Sequence, residues 1–70
     1  MNRHSTAVSA IEDALSNIPG HHRQEFAEGL AEGLIIAHFA SGHIDSEEFK
    51  HYCERLRRIA QGRTGARMAA

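Results

Sequence analysis

Three stretches of this chain repeat apolar residues at helical spacing, and turn-forming residues separate them. In the first, Val8, Ile11, Leu15 and Ile18 recur three and four apart, with Ala7, Ala10 and Ala14 beside them. Ser9, Glu12, Asp13 and Ser16 face away. The pattern predicts an amphipathic helix over about 6–17, capped by the hydroxyl of Ser5 or Thr6, after a loose end at 1–4. A helix this short does not hold alone in water, so its stripe must dock. Pro19-Gly20 ends it, because proline lacks an amide and disfavours helical geometry at Ile18.

The second stretch, EFAEGLAEGLIIAHFAS, is the one the others are arranged around. At about 100° per residue, Phe26, Leu30, Leu34 and Ala37 share one face. Glu25, Glu28 and Glu32 lie opposite, but only in the first half. Ile35, Ile36 and Phe39 take over their sector in the second half. A helix that ends apolar nearly all round has to be covered on all sides. Gly29, Gly33, Ala37 and Ala40 form a ridge of small residues that another backbone can approach closely. The expected span is 21–41, with Gly42 as the left-handed residue after the helix end.

The third stretch has the best-defined start. Asp45 is a capping residue and Glu48 follows at the third helical position, which makes a capping box. Ile44 and Phe49 are placed to form a hydrophobic staple around it. Phe49, Tyr52, Cys53, Leu56, Ile59 and Ala60 then make the buried stripe, and Gly62 reads as the stop. Gly62 and the residues after it, RTGARMAA, show no apolar period and read as a disordered basic tail, 62–70. The fold class expected is all-α. One helical domain over 1–61 holds three helices, at about 6–17, 21–41 and 45–61. The second and third form an antiparallel hairpin over Gly42-His43-Ile44.

The segment 37–56 resembles the SHOCT type of short bacterial module. The residues that carry the resemblance are Gly42, Ile44, Asp45 and Glu47-Glu48-Phe49, closing at Leu56. It implies a hairpin used for oligomerisation or partner docking, with no catalysis.

Size sharpens the question of what covers the central helix. A chain of 70 residues forms a single domain. It buries only roughly 60% of the surface its unfolded form exposes, so it is marginal alone. Such domains usually add disulfides, a metal or a partner chain. Cys53 is the only cysteine, so no intrachain disulfide can form, and it reads as a small apolar filler in a reducing compartment. A homodimeric bundle is therefore expected. Its contact surface would be Gly29, Gly33, Ile35, Ile36, Phe39 and Ala40. No apolar run reaches the roughly 18 residues of a membrane span. MNRHSTAVSA lacks the apolar segment of a signal peptide, so the expected location is the cytoplasm, with no membrane partner.

The net charge of −1 conceals an asymmetry. Residues 1–54 carry nine acids against Arg3, Arg23 and Lys50. Residues 55–70 carry Arg55, Arg57, Arg58, Arg63 and Arg67 and no acid. Those arginines are candidate phosphate contacts, which makes nucleic-acid binding the alternative function. Against it, Glu54 with Arg58 and Lys50 with Glu54 are ordinary helix-surface pairs, and no aromatic residues interleave the arginines.

Other chemistry finds little support. The six histidines include no His-x-x-x-His pair. Glu48 and His51 have the Glu-x-x-His spacing of di-iron bundles but project away from the apolar stripe. SGHIDSEEF resembles the second half of a calcium loop, yet Ala37 and Phe39 stand where oxygen ligands are needed. No nucleophile elbow or phosphate-cradling glycine loop is present. The expected function is thus a non-enzymatic helical interaction or regulatory protein, without cofactor or metal, acting on a second copy or on another protein.

Overall fold

The computed structural model describes the backbone of residues 2–69 and the side chains of residues 2–62. Among the described residues the chain is all-α: α1 (Arg3–Asn17), α2 (Gln24–Ala40) and α3 (Ser46–Ala69).

α1 begins earlier than the hydroxyl residues suggest. Asn2 is the cap, and its Oδ1 accepts from the Ser5 amide at 2.7 Å. The Thr6 hydroxyl, expected to cap, donates back to the Asn2 carbonyl at 3.1 Å. Asparagine is as good a cap as serine, so the helix gains a turn. Ala7, Ile11 and Leu15 are buried, and Ile18 continues their line. Ile18 keeps helical dihedrals, φ −61° and ψ −51°, despite the proline after it. Its side chain is fully enclosed, and that packing outweighs the local preference.

α2 starts at Gln24 rather than His21. Residues 19–23 are held as a turn. The Arg23 amide donates to His21 Nδ1 at 2.9 Å, and Gln24 Nε2 donates to the Pro19 carbonyl at 2.8 Å. Arg23 makes no side-chain cap, because a guanidinium has only donors and cannot accept from the free amides of a helix start. α2 ends at a Schellman turn, where Gly42 has φ +77°. The His43 amide donates to the His38 carbonyl at 2.8 Å, and the Gly42 amide to that of Phe39 at 3.0 Å.

The capping box of α3 forms as the sequence predicts. The Glu48 amide donates to Asp45 Oδ1 at 2.8 Å, and the Asp45 amide to Glu48 Oε1 at 2.9 Å. Ile44 is buried before it and Phe49 half-buried after it. The expected stop at Gly62 is not there, since α3 runs on to Ala69. Gly62 has no positive φ, and no proline follows. A glycine inside a helix costs only about 1 kcal/mol, so by itself it does not end one. The backbone of the expected disordered tail is therefore helical as far as Ala69. The side chains of Arg63 and Arg67 lie outside the described residues.

α2 packs against both other helices, while α1 and α3 meet mainly through side chains. His4 Nε2 lies 2.6 Å from Glu48 Oε2, and Arg55 Nη1 donates to Glu12 Oε2 at 2.7 Å. Both links join an earlier residue of α1 to an earlier residue of α3, or a later to a later. α1 and α3 are thus parallel, and α2 is antiparallel to both. The core is Ala7, Ile11, Leu15 and Ile18 from α1, Ala27, Ala31 and Ile35 from α2, then Ile44 and Tyr52.

That core sets the orientation of α2. The sequence groups Phe26 and Leu30 with Leu34 and Ala37 on one apolar face. The inward face is instead Ala27, Ala31 and Ile35, with Leu34 at its edge. Alanines there let the axes of two neighbours come close to α2, and this burial outweighs placing the larger side chains inside.

Candidate interaction surface

Because α1 and α3 cover only one side of α2, the other side is bare. Phe26, Leu30, Ile36 and Phe39 are 50%, 55%, 50% and 39% exposed. On the helix, Phe26, Leu30, Gly33, Ala37 and Ala40 follow one another at intervals of four, three, four and three. That is the seam spacing of a helix that packs along another. Gly29 and Ile36 flank the seam, and Phe39 turns toward α3, its ring stacked on Phe49 with centroids 4.3 Å apart.

A Cβ placed on Gly29 or Gly33 would meet nothing within 4 Å. Neither glycine is required by packing inside the chain, although each costs about 1 kcal/mol of helix stability relative to alanine. The seam continues into an open groove of about 450 Å³ between α2 and α3. Gly29, Ile36, Phe49, Cys53 and Leu56 line its apolar part, with Glu32 and Arg57 at its edges. Cys53 is half-buried beside this groove rather than sealed in the core.

Five of the six expected contact residues, Gly29, Gly33, Ile36, Phe39 and Ala40, are exposed. Ile35 is not. It is fully buried, because its position one turn from Ala31 places it on the inward face. Phe26 and Leu30 also belong to the bare face, although the expected contact surface leaves them out. Their seam spacing with Gly33, Ala37 and Ala40 was the available signal. The spacing marks a packing stripe without telling whether the chain's own helices or a second chain fills it.

The basic residues are partly engaged within the chain. Arg55 is bound to Glu12 and lies beside the Tyr52 ring. Glu54 sits 3.5 Å from Arg57 and 3.8 Å from Arg58. The hydrogen bond from Arg55 holds the Glu12 carboxyl below the usual carboxylate range. Burial, with Glu12 nearby, pushes the Tyr52 phenol up. The Asp45 amide, and after it His4, hold the Glu48 carboxyl down.

Glu48 is thereby committed to the cap, and the ring of His51 lies against Tyr52. Their Glu-x-x-His spacing serves the fold. His38 and His43, brought together by the Schellman turn, place their Nδ1 atoms 2.9 Å apart. No group of three or more potential metal ligands occurs among the described residues. No helix among them is long and apolar enough to cross a membrane. No family model matches the chain, and comparison with curated proteins and with solved structures finds no significant match either.

Proposed function

We propose that this chain is a non-enzymatic helical interaction protein that works by self-association through the outward face of α2. The observation that carries the reading is the bare seam of Phe26 and Leu30, flanked by exposed Ile36, on a helix whose opposite side is packed. Leaving large apolar side chains half in water forgoes roughly 1 kcal/mol each. That is a large share of the few kcal/mol a 70-residue fold has in hand. A second copy covers such a face with the same residues. The resemblance of 37–56 to a SHOCT-type hairpin, which implies oligomerisation or partner docking, fits the same class of role.

Sedimentation equilibrium tests the proposal. A dimer at tens of micromolar is expected, and a folded monomer at that concentration overturns it. Nucleic-acid binding through Arg57, Arg58, Arg63 and Arg67 is the weaker reading, since Arg55 is bound to Glu12 and Glu54 lies between the next two. A mobility shift at about 50 mM salt, where phosphate contacts are strongest, is expected to show no complex.

A further inference from the structure

We infer that two copies meet through α2 as an antiparallel, two-fold pair that crosses at Gly33. This rests on the self-association proposed above and adds its geometry. The outward stripe is symmetric about Gly33. Phe26 and Ala40 stand seven residues to either side, and Leu30 and Ile36 three. A two-fold axis at Gly33 sets Leu30 beside Ile36 of the second copy, and Phe26 toward its Ala40. An isologous contact requires such matching of a surface with itself, and a foreign helix requires none.

Bulk and charge both select the antiparallel direction. The large Phe26 and Leu30 lie in the first half of α2, and the small Ala37 and Ala40 in the second. Parallel pairing puts Phe26 on Phe26, prises the axes apart at one end and leaves a gap at the other. Antiparallel pairing sets Phe26 against Ala40 at both ends, with Leu30 beside Ile36 between them. Glu25, Glu28 and Glu32 all precede Gly33, and no acid lies between Gly33 and Gly42. Parallel helices place those acids beside their own copies, whereas antiparallel helices carry Glu25 and Glu28 away from theirs to the acid-free half, and only Glu32 stays near the axis. The helix dipoles oppose one another in the same arrangement.

The area is sufficient. The exposed parts of Phe26, Leu30, Ile36 and Phe39 amount to roughly 400 Å² per copy. A standard interface removes about 800 Å² from each partner. The glycines, alanines and neighbouring groove wall supply the remainder.

Cysteine pairing tests the geometry. In a Cys53→Ser background, Leu30→Cys and Ile36→Cys are made separately with different tags, checked for helix content, mixed and oxidised. In the antiparallel pair the two Leu30 positions are displaced by about 9 Å along the axis. That lies beyond the roughly 4.4–6.8 Å between Cα atoms that a disulfide spans. The expected result is a mixed Leu30→Cys/Ile36→Cys disulfide with little of either self-linked product. Self-linked products in excess of the mixed one mean parallel helices and overturn the inference while leaving self-association standing. A sedimentation dimer with no cross-link at all means another face and overturns it likewise. A folded wild-type monomer removes both this inference and the proposal beneath it.

Discussion

Arg55 reaches across 43 positions of sequence to donate to Glu12 at 2.7 Å, and this contact joins the two helices that flank α2. The pair is partly solvated, with side-chain exposures of 30% and 41%. Its stabilisation is therefore modest, about 0.5–1 kcal/mol after solvent screening. Urea unfolding of Glu12→Ala, Arg55→Ala and the double variant should give a coupling energy of that size. Additive single effects would show that the contact is geometric only.

Acid should weaken both this contact and the cap of α3. The carboxyls of Glu12 and Glu48 are both held below their ordinary value, by Arg55 and by the Asp45 amide respectively. Groups with depressed pKa contribute stability above the unfolded value, near 4.5, and lose it as pH falls through the folded value. Stability against urea should thus be level from about pH 7 to pH 5 as far as these two groups are concerned, then fall below about pH 4.5. In Glu12→Gln the fall should be shallower, and an unchanged acid limb in that variant would rule Glu12 out as a contributor.

The turn chemistry of this chain was legible because it is local. Asp45 and Glu48 cap α3 as a four-residue pattern whatever surrounds it. Gly42 likewise takes its positive φ from the helix end alone. The facing of α2 was not legible, because its wheel carries two apolar stripes, Ala27-Ala31-Ile35 and Phe26-Leu30-Gly33-Ala37. Periodicity weighs the larger side chains more heavily. The fold chose the alanine stripe, since two helices must approach it at once. The bare face of the candidate site follows from that choice, so its glycines and its second half, around Ile36 and Phe39, were anticipated, while Phe26 and Leu30 were not. Asn2 was missed for a different reason. Three neighbouring side chains, Asn2, Ser5 and Thr6, can each cap, and spacing does not rank them.

Loss of the Asp45 cap should be felt beyond α3, because Ile44 beside it is in the core. Asp45→Ala is expected to cost about 1 kcal/mol, which in a domain of this size lowers the thermal midpoint by roughly 4–8 °C. Asp45→Asn retains the accepting oxygen and should recover most of the loss. Calorimetry of both variants at equal protein concentration would distinguish lost capping from lost charge.

Leu30→Glu and Phe39→Glu should separate assembly from folding. Leu30 is the most exposed of the large apolar residues, so a carboxylate there leaves the core of a single copy intact. In a pair it places a charge in the contact. The expected product is a helical monomer by circular dichroism and sedimentation. Phe39 also stacks on Phe49, so Phe39→Glu should dissociate the pair and in addition lower the midpoint of the monomer. A Leu30→Glu protein that sediments as wild type would exclude this face of α2.

Gly33 gives the sharpest contrast between the single chain and the pair. Its Cβ position is open within one copy, and its backbone is helical without positive φ. Gly33→Ala and Gly33→Leu should therefore stabilise the isolated fold by up to about 1 kcal/mol through helix propensity. In the pair, leucine at the point of closest approach overfills the contact, typically at about 1–3 kcal/mol. That weakens association roughly 5- to 150-fold. Alanine, much smaller, should change association little. The two effects have opposite signs, so they are read at two concentrations. At low micromolar, where single chains prevail, Gly33→Leu should melt above wild type. At hundreds of micromolar the order should reverse, because wild type gains from pairing and the variant does not. If Gly33→Leu melts higher at every concentration, no close contact forms at this glycine.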